Sequence, residues 1–254
     1  GSHPIRTSVM VIEDRVYATA GLFPSQGVYA VALGKSDGKC IWRRKLNRSP
    51  QGYLVADQDN RLCIPCGRAT PFCLNGESGR FVCDLPSAGG TFCMVTREAF
   101  FSGPGNDAAV QSYPNLPDAK MLPIGGRAIA AGASRVWYSG NEGIACHDLK
   151  KMMARSADSN NWLTPLEPAQ ALIVSGNDEE AFVFAAHGSN VTVLDGESGV
   201  RLHELSLPDK AESIRYLAVS TRQDNDQPEL LIATTTFTII TITLFIITHI
   251  ISPH

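Results

Sequence analysis

Leu74-Asn75-Gly76-Glu77-Ser78-Gly79 and Leu194-Asp195-Gly196-Glu197-Ser198-Gly199 are near copies of one another, and Leu33-Gly34-Lys35-Ser36-Asp37-Gly38 is a looser third copy. Their leucines stand 41 and 120 residues apart, one period and three. Each copy has the chemistry of a tight turn: an Asn or Asp side chain can bond its own backbone a residue or two on, and the last Gly supplies the positive φ that folds the next strand back. The segments that follow, Cys40-Ile41-Trp42, Phe81-Val82-Cys83 and Leu202-His203-Glu204-Leu205, therefore read as outer strands.

Working outward, a β-rich run closing on Gly recurs five times. The runs are Val16 to Gly21, Leu62 to Gly67, Ala99 to Gly103, Val136 to Gly140 and Phe182 to Gly188. The closing glycines are 46, 36, 37 and 48 residues apart, and a mean spacing of about 42 is the length of one four-stranded propeller blade. Short apolar stretches with polar turns precede the runs, as in Val9 to Ile12 followed by Glu13-Asp14, which is hairpin grammar. The spacing predicts an all-β propeller of four-stranded antiparallel blades, five of them starting near residues 8, 52, 91, 127 and 171, with Ile214 to Val219 opening a weaker sixth. A fourth turn copy, Ile144 to Leu149, runs into Lys150 to Arg155, where a short helix is expected instead of the turn. A propeller hides its sheet edges by closing its ring, so five or six blades either close alone or belong to a larger, here incomplete, ring.

Composition agrees with a globular chain: 254 residues, 44% hydrophobic, 19% charged, with 22 Gly and 15 Pro. That excludes a disordered chain or a coiled coil. A net charge of -3 gives no overall electrostatic reason to expect nucleic acid. No secretory signal opens the sequence at Gly1-Ser2-His3, so an expectation is that the chain is part of a longer protein. Residues 1–229 are expected to form the propeller. Residues 230–254 form an Ile- and Thr-rich tail, in which Leu230 to Thr248 lacks charge, Gly and Pro; the alternatives for it are the strands of a last blade, a membrane anchor, or a tail foreign to the fold.

Gly27-Val28-Tyr29-Ala30-Val31-Ala32-Leu33 through Gly38-Lys39-Cys40-Ile41-Trp42, with Asn75 to Gly79 and Asp195 to Gly199, resembles the repeat of the pyrroloquinoline-quinone-like β-propellers over about residues 8 to 220. The resemblance implies a propeller commonly of seven or eight blades, an extracytoplasmic or periplasmic location, and an outer-strand Trp wedged between neighbouring blades. Only Trp42 fills that place at the expected spacing; Cys83 and His203 stand at its equivalents. The family includes calcium-dependent quinoprotein dehydrogenases, the propeller lipoprotein of outer-membrane assembly and propellers without quinone. Its enzymes use a vicinal Cys-Cys disulfide and a Trp stacked on the quinone, with Glu, Asn and Asp around calcium. No Cys-Cys pair occurs in this sequence, and Trp42, Trp137 and Trp162 read as blade-packing or loop residues.

The candidate sites are few. Arg6, Arg68 and Arg127 each adjoin a Pro or Gly at a blade edge, and loops on one face would bring three guanidinium groups onto an anion or carboxylate. The plainer alternative is that each pairs with a neighbouring acid or carbonyl between blades. Cys63 and Cys66 form a Cys-x-x-Cys, with Cys73, Cys83 and Cys93 following; the alternatives are a strand's core packing, a disulfide among Cys63, Cys66 and Cys73, or one knuckle of a zinc site lacking its second. His187 adjoins a closing Gly. The expected function is a non-catalytic binding or scaffold propeller presenting loops to a protein or small-molecule ligand, with no catalytic residue, metal or cofactor. The alternative is a fragment of an alcohol dehydrogenase that uses pyrroloquinoline quinone and calcium.

Overall fold

Hairpin after hairpin, each strand pairs with the one that follows it. The computed structural model describes residues 4–22, 24–85, 89–103, 110–114, 120–122, 125–126, 128–176, 180–210, 212–221, 228–235 and 239–243. The first sheet is β1–β4 (Met10–Ile12, Arg15–Leu22, Gly27–Gly34, Cys40–Leu46) and the second is β5–β8 (Val55–Ala56, Arg61–Cys66, Ala69–Asn75, Phe81–Asp84). The third is β9–β12 (Phe92–Val95, Ala99–Gly103, Val110–Pro114, Gly125–Gly126). The fourth is β13–β16 (Ala128–Ala131, Arg135–Ser139, Ile144–Asp148, Asn160–Thr164), with helix α1 (Leu149–Met153) between its last two strands. The fifth is β17–β20 (Ala171–Ser175, Phe182–His187, Asn190–Asp195, Arg201–Ser206), and the sixth has three described strands, β21–β23 (Ile214–Thr221, Pro228–Thr234, Ile239–Thr243). All described pairings between these strands are antiparallel.

The five closing glycines occupy one topological place, at or beside the end of β2, β6, β10, β14 and β18. The expected helix also stands where the fourth turn copy breaks off. The described part of the 230–254 tail is sheet: β22 and β23 pair with each other, and Leu230 and Ile232 are buried beside Phe184 of the fifth sheet. No described helix is long and apolar enough to cross a membrane. Residues 244–254 lie outside the described residues.

The chain divides into two compact units, residues 1–125 with 152–155, and 126–151 with 156–254. In the first unit, β2 and β3 alternate buried and half-buried residues, whereas β6 is buried almost throughout because sheets pack on both of its faces. One core joins the first sheet to the second through Tyr17, Val28, Ala32, Ile64 and Leu74; another joins the second to the third through Cys63, Cys73, Cys93 and Phe100. In the second unit, Trp137, Cys146, Val183 and Leu194 fill the core between the fourth and fifth sheets.

Register aligns one row of side chains across the sheets. Tyr17, Ala32 and Trp42 lie directly opposite one another in the first sheet, and Cys63, Cys73 and Cys83 in the second. Trp137, Cys146 and Trp162 form the row of the fourth sheet, and Phe184, Val193 and His203 that of the fifth. This corrects the expectation that only Trp42 holds the outer-strand place: Trp162 holds it too. Helix α1 lengthens the connection before β16, so counting four residues from a turn glycine could not find it.

Candidate basic groove

Past Trp42 the chain continues Arg43-Arg44-Lys45-Leu46-Asn47-Arg48. Because β4 is the outermost strand of its sheet, it has a single neighbour, and Arg43, Arg44 and Lys45 are all exposed while Leu46 is buried. Arg43 lies over the Tyr29 ring at 5.0 Å and Arg48 over the Phe72 ring at 5.1 Å, cation–π contacts that hold both stems against the sheets. Arg48 Nη1 also donates to the Thr70 carbonyl (2.9 Å) and to Asp84 Oδ1 (2.7 Å).

Two open depressions adjoin along this strand. One, about 430 Å³, is lined by Arg44, Lys45, Arg48, Phe72 and Phe81 among others; the second, about 620 Å³, by Asn47, Arg48, Ser49, Gln51 and Arg68 among others. Asn47 and Arg48 line both, so the two read as one groove. Its charge is one-sided: Asp84 is matched to Arg48, whereas Arg44, Lys45 and Arg68 form no ion pair among the described residues. An anion lying there would meet Arg48, held over the Phe72 ring, and three cations with little acid to displace.

The three arginines singled out in the sequence fare differently. Arg68 is exposed in the turn after β6 and lines the groove. Arg6 reaches the same place indirectly, its Nη2 donating to Ser49 Oγ at 2.9 Å, so it holds a wall of the groove. Arg127 lies outside the described residues. Sequence reasoning passed over Arg44, Lys45 and Arg48, although a run of cations directly behind the outer-strand Trp was a readable signal.

No protein-family model matches the chain, and no curated protein matches it. Solved structures do. BamB from Moraxella catarrhalis superposes with a TM-score of 0.62 over 94% of this chain and 76% of its own, at 12% identity. Hsv2p from Kluyveromyces lactis gives 0.65 over 95% and 75%, at 12% identity. The computationally designed Ika8 protein gives 0.66 over 94% and 70%, at 12% identity. The chain has a β-propeller fold.

Within this propeller, the other candidates behave as packing. Cys63 and Cys66 are three apart on a strand, so they face opposite sides of the blade: Cys66 packs toward the first sheet and Cys63 toward the third. The Cys-x-x-Cys therefore forms no knuckle. Among the described residues, no group of three or more His, Cys, Asp or Glu converges as a metal ion requires. His187 Nε2 is hydrogen-bonded to Thr192 Oγ1 at 2.6 Å. His147 is buried between Ser159 Oγ and Tyr138 OH, each 3.2 Å away, and its ring stacks on that of Tyr138 at 5.2 Å; burial pushes its pKa below the usual imidazole value.

Proposed function

We propose that the chain is a non-catalytic binding module, and that the groove beside β4 takes an acidic segment of a partner protein. The observation that carries the reading is the local excess of cations: Arg44, Lys45 and Arg68 line the groove without ion pairs among the described residues, in a chain whose net charge is -3. Planar guanidinium forks suit carboxylates, and the exposed Phe81 beside them offers apolar area to a side chain of the same segment. As proposed, the module works without a cofactor.

The test is fluorescence anisotropy with a labelled Glu-rich peptide and its Gln counterpart. The acidic peptide should bind, the neutral one much less, and binding should weaken with salt because exposed charges are screened beyond about 8–10 Å at physiological ionic strength. Replacing Arg44 and Arg68 together by Glu should reduce affinity at least tenfold while leaving the unfolding midpoint within experimental scatter. Equal binding of the two peptides would sink the reading. Saturable uptake of pyrroloquinoline quinone with calcium, accompanied by dye-linked alcohol oxidation, would favour the dehydrogenase instead.

A further inference from the structure

The row that carries Tyr17, Ala32 and Trp42 in the first sheet, and Trp137, Cys146 and Trp162 in the fourth, is made entirely of thiols in the second. Cys63 and Cys73 are directly opposite on β6 and β7, both fully buried, with their sulfurs 3.2 Å apart. Cys83 follows directly opposite Cys73 on β8, and it is only half-buried. Cys93 on β9 closes the inner end against Cys63. The four thiols thus form a line running from the core to the outer strand. A line does not surround a point, which suits sulfur-to-sulfur exchange and not metal binding.

We propose that this line is a thiol–disulfide exchange site, in which Cys83 reacts with a small-molecule disulfide and the bond passes inward to rest between Cys63 and Cys73. Geometry allows the final bond: directly opposite residues of antiparallel strands have Cα atoms about 4.5–5.5 Å apart, within the span a disulfide bridges. The steps balance. The Cys83 thiolate attacks one sulfur of the small disulfide, whose S–S bond breaks, and the first small thiol leaves with the bonding pair. Cys73 then attacks the Cys83 sulfur, expelling the second small thiol and forming Cys73–Cys83. Cys63 attacks the Cys73 sulfur, the bond to Cys83 breaks, and Cys83 departs as a thiolate ready for reprotonation. In sum, Cys63 and Cys73 lose two protons and two electrons, and the small disulfide gains both as two thiols.

The order follows from access, since only Cys83 of the three is open to a solute. Burial raises its pKa to about 11; Cys73 is held above an ordinary thiol by its hydrogen bond with Cys63 and then by burial, and at Cys63 the lowering effect of the Cys73 bond is outweighed by Cys93 and burial. Few of these groups are thiolates at neutral pH, so the exchange belongs to the slow range of disulfide chemistry, minutes to hours. Arg61 and Asp57, ion-paired to each other, and Asp84 on the outer strand are the charged groups acting on the line.

The experiment is incubation of the native full chain with oxidised glutathione, alkylation of the remaining thiols, and peptide mapping by mass spectrometry. The expected product is a Cys63–Cys73 link with Cys83 alkylated. In Cys63→Ser the bond should stop at Cys73–Cys83, and in Cys73→Ser a glutathione adduct should remain on Cys83. Cys83→Ser should reach the wild-type product at least tenfold more slowly. The wild-type map and the Cys83→Ser rate decide the matter even if the buried variants fail to fold. Seven alkylated thiols after prolonged native incubation, a link through Cys40, Cys66 or Cys93, or an unslowed Cys83→Ser would each overturn the proposal.

Discussion

The junction that Trp42 makes with the turn Asn75–Gly79 and the one that Trp162 makes with Asp195–Gly199 rest on the same receptor, the carbonyl of the second turn residue. Trp42 Nε1 donates to Gly76 at 2.8 Å and Trp162 Nε1 to Gly196 at 3.2 Å. They differ in what stands behind the indole. In the first junction Tyr17 packs against Trp42 with ring centroids 6.2 Å apart, and Arg15 Nη1 reaches the Gly76 carbonyl only at 3.4 Å. In the second, the Tyr17 place is held by Trp137, wholly buried, which adds its own Nε1 bond to Gly196 at 3.0 Å, and Thr164 Oγ1 donates to the Gly199 carbonyl at 2.6 Å. One carbonyl with two lone pairs is fully used in the second junction. Repetition in the sequence fixes where blades meet, and the row behind the turn decides how firmly.

The largest expected effect is therefore that of Trp137→Ala, about 3–5 kcal/mol, the usual cost of emptying a buried aromatic site. Trp42→Ala, at a half-buried ring, should cost about half as much. Equal shifts in urea unfolding midpoints would break the comparison. Next come the turn glycines. Gly79 and Gly199 have φ of +66° and +73°, and a Cβ on either would lie 2.6 Å from the indole that caps it; Gly38, with φ of +67°, has nothing within 4 Å. Gly38→Ala should then cost only the left-handed backbone term, about 1–2 kcal/mol, while Gly79→Ala and Gly199→Ala should cost distinctly more and shift tryptophan fluorescence. A similar cost at all three positions would show that the indole yields freely.

A smaller pair tests the turns themselves. Asp195 Oδ1 accepts from the Ser198 amide (2.7 Å) and hydroxyl (2.6 Å), and Asn75 Oδ1 makes the same two bonds at 2.9 and 2.8 Å. Asp195→Ala and Asn75→Ala should each cost about 1 kcal/mol, with the charged acceptor the more expensive to lose. The smallest effect is one of pH, and it belongs to the fourth sheet: His147, next to the row residue Cys146, stands where the first sheet has Leu33. Its folded pKa lies below 6.5, so as pH falls through 6.5 the unfolded chain takes up the proton first. Stability from this residue is complete above 6.5 and declines below it. Urea midpoints between pH 7.5 and 5 should fall more steeply in wild type than in His147→Gln; parallel profiles would remove His147 from the account.

Glycine spacing and turn chemistry made the blades legible because both are backbone requirements that few residues can meet, and six sheet starts lie within about three residues of those read from the sequence. Trp162 was harder to place because helix α1 replaces the turn and lengthens the path to β16. The groove was harder still: Arg44 and Lys45 are adjacent, but Arg68 follows on another strand's turn, and the packing of the second sheet on the first brings its depression beside theirs. The thiol line was legible only as a set of cysteines in which a disulfide among Cys63, Cys66 and Cys73 was one alternative. Cys63-x-x-Cys66 attracts the eye as a motif, yet strand parity sends the two sulfurs apart, and the cross-strand register chooses Cys73 and Cys83 as partners instead.

Both indole bonds span 34 residues, from Trp42 to Gly76 and from Trp162 to Gly196. During synthesis at roughly 5–20 residues per second, each tryptophan therefore leaves the ribosome about 2–7 s before its receptor exists. For that interval the newly made sheet carries an uncovered aromatic, and two such windows recur at matching points of translation. Chaperone contact with the nascent chain should concentrate in them, and a cluster of slow codons just upstream of either turn would lengthen the exposure.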